Sequence, residues 1–251
     1  MRLKGRVAIV TGAARGLGRA FCLALAHEGA NIVAADIMPC TETVANVQDA
    51  GGEILEVTTD VSSGPSTKAM AAQALERFGR IDILVNNAAI LVKPTPFDQI
   101  SETDWDRVMA VNIKGMWLCC KAVIPVMQQH GKGKIINLSS DTIWLGVPMI
   151  LHYVVSKGAV FTFTRALARE LSGTEITVNT ITPGYTVTEG TQGMAEPGTI
   201  AQIQAGVLNQ QIIKRSEVPA DLVGTVVFLA SDESDFITGQ TINVNGGATH
   251  Y

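Results

Sequence analysis

The sequence predicts an α/β fold, in which a doubly wound parallel sheet of seven strands carries helices on both of its faces. Short apolar runs alternate with helical patterns along all 251 residues, which is the order that βαβ units produce. The apolar runs are nearly continuous, as expected of strands that are buried on both faces. No internal repeat or low-complexity linker interrupts this order. We therefore predict one domain spanning 1–251.

The elements follow in chain order. The predicted strands cover 6–10, 31–36, 54–58, 81–85, 134–138, 176–181 and 241–244. The predicted helices cover 16–27, 40–50, 66–78, 101–130, 153–171 and 219–230. Ser101 with Asp104 resembles a capping box, and Pro219 suits a first helical turn. The stretch 186–214 is predicted to be irregular, with 185–214 acting as a lid over a substrate.

Composition excludes several classes of protein. The chain is 47% hydrophobic and 17% charged, which favours a sizeable core and argues against disorder. The net charge of −4 and the lack of a basic block argue against nucleic acid and anionic membrane surfaces as partners. No apolar run approaches the roughly 18 residues of a membrane span. The four cysteines and four histidines lack metal-site or disulfide-framework spacing, which predicts reduced thiols, no metal and a cytoplasmic protein.

A Gly-rich turn follows the first predicted strand. It reads TGAARGLG at 11–18 and opens the first predicted helix. Gly12 allows a tight turn, while Gly16 and Gly18 allow a pyrophosphate to approach and the helix to pack closely on the strand. The free N–H groups and the dipole at the helix start favour a dianion. The turn therefore predicts dinucleotide binding by a Rossmann-type sheet.

Asp36 ends the second predicted strand. An acid at this position would accept hydrogen bonds from the adenosine ribose and repel a 2′-phosphate. Arg15 could instead welcome that phosphate, but Ile37 offers no second cation. We therefore predict NAD(H) as the cofactor and consider NADP(H) less favoured.

Tyr153 and Lys157 lie four positions apart in a predicted helix, which places both side chains on one face. A nearby ammonium favours the phenolate, so we expect the pKa of Tyr153 to lie below about 10. Such a phenol can exchange a proton with an alcohol or a ketone. The Ser140 hydroxyl, at the end of the fifth predicted strand, could hold the same substrate oxygen.

Together these residues resemble the short-chain dehydrogenase/reductase family, in the single-domain type of this length. The resemblance covers about 4–247 and rests on signals in the family's order. Beyond TGAARGLG, these are DV at 60–61, NNAA at 86–89, Asn112, Ser140, Tyr153, Lys157, PG at 183–184, Thr188 and TGQTINVNGG at 238–247. The implied reaction is alcohol + NAD⁺ ⇌ ketone + NADH + H⁺.

The resemblance also implies roles for single residues. Asn112 would hold a water that extends a proton relay from Lys157, and Asn86 would support the central strands. Tyr153 and Lys157 would contact the cofactor in addition to their part in catalysis. The other cofactor contacts would be Gly12, Arg15, Gly16, Leu17, Gly18, Asp36, Ile37, Asp60, Val61, Asn87, Ala88, Pro183, Gly184, Thr186 and Thr188. Taken singly, Asp60 could cap a helix and Asn112 could cap or bend one.

Two positions depart from the family pattern. Ala89 stands where the family usually has Gly, which narrows the space near the cofactor. Asn245 stands where the family usually has Asp, which puts any family salt bridge there in doubt. Neither position carries a chemical group of the predicted reaction.

The segments that form the substrate pocket by this resemblance are mostly apolar. The predicted pocket residues are Ile90, Leu91, Val92, Thr142, Trp144, Met149, Tyr185 and Met194, with His152 nearby. They lack an Arg clamp for an anion, and Lys93 is the only local cation. We therefore expect an uncharged secondary alcohol or ketone, aromatic or cyclic, such as a 1-phenylethanol-like or pyridoxal-like alcohol. Trp144 and Tyr185 could equally be packing residues.

Three other functions stay open: a 3-oxoacyl-carrier-protein reductase, a sugar or polyol dehydrogenase, and a non-catalytic NAD-binding regulator. Asp36 argues against the first, the apolar pocket against the second, and the Ser140–Tyr153–Lys157 set against the third. The resemblance also implies a homotetramer. Its interfaces would be the helices at about 104–129 and 153–171, and the C-terminal strand.

Overall fold

The protein is described by a computed structural model over residues 1–250, and Tyr251, the last residue of the predicted domain, lies outside them. Seven strands form one sheet: β1 (Val7–Thr11), β2 (Asn31–Asp36), β3 (Ile54–Thr58), β4 (Ile83–Asn86), β5 (Lys132–Leu138), β6 (Glu175–Pro183) and β7 (Thr241–Val244). The strand order is β3-β2-β1-β4-β5-β6-β7, and every pairing is parallel. The predicted fold class is confirmed. The order reverses between β1 and β4, which opens a crevice at their carboxyl ends.

Within residues 1–250, ten helices flank the sheet. They are α1 (Gly16–His27), α2 (Thr41–Asp49), α3 (Gly64–Phe78), α4 (Glu102–Met109), α5 (Met116–His130), α6 (Thr142–Leu145), α7 (Leu151–Glu170), α8 (Glu189–Gln192), α9 (Pro197–Gln210) and α10 (Ala220–Ala230). Successive side chains of β1 point to opposite faces. Ala8 and Val10 join a core with α1 and α10, whereas Val7 and Ile9 join a core with α3 and α5. Both faces are therefore covered.

The helices α4 and α5 form one continuous rod that contains a π-helical turn at Ala110–Gly115. Such turns are frequent at functional sites. By length and composition alone, the helix Glu102–His130 could cross a membrane. In this fold Cys120, Val123 and Met127 are buried against the sheet, which is the arrangement of a core helix.

The stretch 186–214 is not irregular as predicted, because it contains α8 and α9. Pro197 occupies the first turn of α9, where its missing N–H has no cost. Only Ile200 of α9 is buried, although Ile203 and Val207 continue the same apolar stripe and are half-buried. The short helix α6 was also not predicted, and α7 begins at Leu151 rather than at Tyr153.

Candidate active site

One cavity of about 730 Å³ lies along the carboxyl ends of the strands. Asp36 lines one end of it, and Ser140, Tyr153 and Lys157 line the other. Most of the predicted cofactor residues line the same cavity: Gly12, Arg15, Gly16, Leu17, Asp36, Ile37, Asp60, Val61, Asn87, Ala88, Pro183, Gly184, Thr186 and Thr188. The sheet therefore brings together motifs that are far apart in the chain.

The turn between β1 and α1 is built so that backbone lies close to backbone. A Cβ at Gly18 would lie 2.0 Å from the Gly12 carbonyl oxygen, and one at Gly12 would lie 2.8 Å from the Ala88 Cα. Gly18 does not line the cavity and serves the packing of α1 on β1. Arg15 precedes α1 without a side-chain cap, and the first turn carries no acid. The N–H groups at this helix start therefore suit a pyrophosphate.

The NNAA turn is fixed to the same loop. The Thr11 hydroxyl accepts hydrogen bonds from the Asn87 and Ala88 N–H groups at 3.1 Å each. The Asn87 side-chain amide donates to the carbonyls of Thr11 and Gly12. Asn86 donates to Asn137 at 2.9 Å, which links β4 to β5. The floor of the cavity is therefore rigid.

The Asp36 carboxylate is held at the edge of the cavity by two backbone groups. It accepts hydrogen bonds from the Ala14 N–H at 2.9 Å and the Met38 N–H at 3.0 Å. These hydrogen bonds join the end of β2 to the Gly-rich turn between β1 and α1. It leaves the acid beside Arg15 and Ile37 in the cavity wall, where a ribose would meet it.

Tyr153 and Lys157 share one face of α7, as their spacing predicted. The Lys157 ammonium lies 5.8 Å from the centre of the Tyr153 ring and donates a hydrogen bond of 2.8 Å to the Leu138 carbonyl. The Ser140 side chain hydrogen-bonds Tyr153. The Ser139 hydroxyl donates to the Lys157 carbonyl at 2.7 Å, which fixes α7 to the end of β5.

The expected low pKa of Tyr153 is wrong for this arrangement. Desolvation raises the pKa of Tyr153 to about 12, and the Ser140 hydrogen bond only partly opposes it. Burial also lowers the pKa of Lys157 to about 8, because an ammonium is costly away from water. The chain alone therefore favours a protonated phenol, the form that can donate a proton to a ketone.

Asn112 lies in the π-helical turn behind Lys157 and is buried. Its side-chain oxygen accepts from the Ile90 N–H at 2.8 Å, and its amide nitrogen donates to the Ser156 hydroxyl at 3.0 Å. Asn112 thus joins its helix to the NNAA loop and to α7. It does not line the main cavity. Asp60 does not cap α3, because Ser63 is the N-cap and Asp60 accepts instead from Ser62.

Thr188 begins α8. Its hydroxyl accepts from the Thr191 N–H at 3.2 Å in a capping box, so the side chain caps a helix as well as lining the cavity. A Cβ at Gly16 would lie 3.3 Å from the Thr188 Cβ. The start of the 185–214 segment therefore packs directly on the Gly-rich turn between β1 and α1.

Four predicted pocket residues do not line the cavity: Thr142, Trp144, Met149 and Tyr185. Thr142 is turned to Ser140, to which its hydroxyl donates at 3.0 Å. Trp144 packs edge-on against Phe161, with ring centres 5.1 Å apart. Met149 has a positive φ of 69° and is exposed. The Tyr185 hydroxyl donates to the Thr191 carbonyl, while Met194 does line the cavity.

Several residues that the sequence interpretation missed also line the cavity. Arg107 and Val111 lie on the rod formed by α4 and the π-helical turn. Their spacing of four residues, just before Asn112, is a signal that could have found them. Lys93 is therefore not the only cation near the predicted substrate end. Both Lys93 and Arg107 are exposed.

Comparisons with known proteins agree with this geometry. A sequence profile of the family described as enoyl-(acyl carrier protein) reductase matches residues 12–249. The chain is 37% identical over 243 residues to the 3-oxoacyl-[acyl-carrier-protein] reductase of Staphylococcus epidermidis, covering 96% of this chain and 97% of the relative. It is 39% identical over 246 residues to the 2-dehydro-3-deoxy-D-gluconate 5-dehydrogenase of Escherichia coli, covering 98% and 96%.

A solved structure of similar shape adds to these relatives. The short chain dehydrogenase from Mycobacterium paratuberculosis bound to NAD superposes with a TM-score of 0.91 at 33% identity, over 100% of both chains. The sheet order, the Gly-rich turn and the Ser140–Tyr153–Lys157 set appear here in one chain. The protein is thus an oxidoreductase that belongs to the short-chain dehydrogenase/reductase family.

Proposed function

We propose that the protein is an NAD(H)-dependent alcohol dehydrogenase or ketoreductase, which interconverts an uncharged secondary alcohol and its ketone. The observation that carries this proposal is the shared cavity, with Asp36 at one end and Ser140, Tyr153 and Lys157 at the other. The start of α1 also lines this cavity, and its free N–H groups suit the pyrophosphate of a dinucleotide that joins the two ends.

The bound nicotinamide would supply hydride acceptance and donation. Tyr153 would take the alcohol proton during oxidation and return one to the carbonyl oxygen during reduction. Ser140 would hydrogen-bond the reacting oxygen and stabilise its developing charge. Lys157 would favour the phenolate when charged and bind the nicotinamide ribose. Asn112 would orient the relay behind Lys157, since its side chain bridges Ile90 and Ser156.

NAD(H) rather than NADP(H) is the proposed cofactor. The support is the ordered Asp36 carboxylate, whose negative charge opposes a 2′-phosphate at the same ribose. The related dehydrogenase of Mycobacterium paratuberculosis was solved with NAD. Arg15 is exposed at the same end, so the preference rests on Asp36.

The proposed substrate has an apolar body. Apolar side chains line the cavity beside Tyr153: Ile90, Leu91, Val92, Val111 and Met194. They suit an aromatic or cyclic alcohol, such as a 1-phenylethanol-like one. Residues 185–214 would act as the lid over it within one catalytic domain.

A homotetramer in the cytoplasm is the proposed setting. Trp117 of α5 and Leu151 and Val155 of α7 are exposed apolar side chains, which favours an interface on these helices. β7 is an edge strand and Phe236 near it is fully exposed, which favours a second one. The four cysteines are buried and free, in keeping with a reducing compartment.

A second candidate is a 3-oxoacyl-carrier-protein reductase. It is favoured by the Staphylococcus epidermidis relative and by Lys93 and Arg107, which line the cavity and are exposed. Two cations at a cavity can attract the phosphate of a carrier arm. A sugar dehydrogenase finds support in the Escherichia coli relative, but the apolar lining disfavours a polyol.

The test is a panel of secondary alcohols and ketones, with sugar acids and an acetoacetyl thioester included. Rates are followed by NADH or NADPH absorbance with both cofactors. The proposal expects the highest kcat/KM with an apolar secondary alcohol or ketone and NAD(H). A preference for the thioester with NADPH would favour the second candidate, and no turnover of any compound would favour a non-catalytic regulator.

A further inference from the structure

Two buried carboxyl groups lie behind the wall of the cavity at its catalytic end. Glu217 precedes α10 and is 4% exposed, and Asp141 directly follows Ser140 and is 6% exposed. Carboxyl groups are seldom buried unless they are paired or hydrogen-bonded, because burial disfavours their charged form. Neither has a part in the proton transfer proposed above. The nearest cation in the sequence, Arg215, is paired with Asp221 instead.

Glu217 is hydrogen-bonded to the turn that follows β6. Its carboxylate accepts hydrogen bonds from the Thr186 hydroxyl and from the Gly184 N–H, the latter at 3.2 Å. Its backbone carbonyl accepts from the Val187 N–H at 2.8 Å. A Cβ at Gly184 would lie 2.9 Å from the same carboxylate. The turn 184–187 is therefore closed against Glu217 by backbone and side chain together.

Asp141 holds the other side of this turn. Its N–H donates to the Pro183 carbonyl at 2.9 Å, which joins the segment that carries Ser140 to the end of β6. Gly184 and Thr186 line the cavity along with Ser140 and Tyr153. Both acids thus support wall residues without lining the cavity themselves.

The two acids are close enough to influence each other's charge. Burial raises the pKa of Asp141 to about 7, and the negative charge of Glu217 adds to the effect. Burial also raises the pKa of Glu217, but the hydrogen bonds from Thr186 and Gly184 oppose this change. Asp221 and Arg215 face Glu217, and Tyr153 faces Asp141 from α7. Asp141 therefore changes its charge around neutral pH.

We propose that Glu217 is a positioning residue that anchors the turn 184–187 for the cofactor, and that Asp141 holds the Pro183 side of the same turn. Loss of the Glu217 carboxylate removes the hydrogen bonds that fix Thr186 and Gly184. The protein then binds the dinucleotide less tightly at the Tyr153 end of the cavity. A second negative charge on Asp141 repels Glu217 and loosens the same turn. The inference rests on the proposed function only for the choice of NADH as the probe.

The test measures NADH affinity by fluorescence, which needs no turnover. Glu217→Ala should raise the Kd for NADH about tenfold or more, since two hydrogen bonds to a charged group are lost. Glu217→Gln, which keeps one acceptor for Thr186, should stay within about threefold. The matched control is Glu175→Ala, an exposed acid at the start of β6, with no expected change. If Glu217→Ala fails to fold, Thr186→Val removes the same contact from the other side and should also raise the Kd.

The pH dependence separates positioning from mere packing. In the wild type the Kd for NADH should rise as the pH goes from about 6 to 8, because Asp141 ionises in this range. Asp141→Asn cannot ionise and should remove most of this rise. An unchanged Kd in both Glu217→Ala and Thr186→Val, or the same pH dependence in wild type and Asp141→Asn, overturns the inference. If no alcohol is turned over while the Kd values shift as expected, the proposed function fails and the anchor stands.

Discussion

The two ends of the cavity treat charge in opposite ways. At the end formed by the Gly-rich turn, Asp36 is partly exposed and its carboxylate is oriented by two backbone hydrogen bonds. At the other end, Lys157 is buried and Tyr153 is half-buried, and desolvation shifts both pKa values toward the uncharged forms. A fixed charge suits discrimination between cofactors, whereas nearly neutral groups suit proton transfer.

The largest expected effect comes from the catalytic end. Tyr153→Phe deletes only the hydroxyl, and it should lower kcat about 10²–10⁴-fold because positioned acid–base catalysis is lost. NADH affinity and the melting temperature should change little. The measurement is steady-state turnover with the best alcohol of the panel.

Tyr185→Phe is the matched control, because Tyr185 does not line the cavity and its hydroxyl donates to the Thr191 carbonyl. It should retain nearly full activity. A folded Tyr153→Phe enzyme as active as this control would remove Tyr153 from the mechanism.

The next effect concerns stability. The folded-state pKa of Lys157 is lowered to about 8 from 10.5, so the unfolded chain binds the proton more tightly. Stability should therefore rise with pH between 8 and 10.5, and the penalty is fully present below the folded-state pKa. Relative to Lys157→Met, wild type should gain about 2 kcal/mol between pH 8 and 10. Urea unfolding at both pH values measures this difference. Equal pH dependence of the free energy of unfolding in the two proteins would refute the lowered pKa of Lys157.

The smallest effect belongs to the cofactor-selecting end. Asp36→Asn removes the negative charge but keeps an acceptor, so it should shift the ratio of kcat/KM for NAD to that for NADP about tenfold toward NADP. Asp49→Asn, an exposed acid at the end of α2, should leave the ratio unchanged. An unaltered ratio in Asp36→Asn would show that Arg15 or another group sets the preference.

The same contrast explains what could be predicted from the sequence. The Gly-rich turn, Asp36 and the i, i+4 pair of Tyr153 and Lys157 are local patterns whose geometry follows from a strand end or a helix face. The seven strands were found because their apolar runs are nearly continuous. These features needed no knowledge of distant contacts.

Long-range contacts were out of reach. The pKa of Tyr153 was predicted in the wrong direction because its burial is a property of the whole fold. Trp144 was predicted to line the pocket, whereas its ring packs against Phe161 of α7 and does not line the cavity. Glu217 contacts Gly184 although 33 residues separate them in the sequence, and no local pattern predicts such a contact. The helix α9 is different, because Ile200, Ile203 and Val207 follow helical spacing and could have predicted it.

The central claim is that one cavity holds a dinucleotide at Asp36 and a reacting oxygen at Tyr153. A crystal structure with NADH and a ketone inhibitor tests it most directly. We predict the adenosine ribose on the Asp36 carboxylate, and the ketone oxygen within hydrogen-bond distance of both the Ser140 and Tyr153 hydroxyls. A Tyr153 hydroxyl that faces away from the nicotinamide C4, or a ribose without contact to Asp36, would contradict the account.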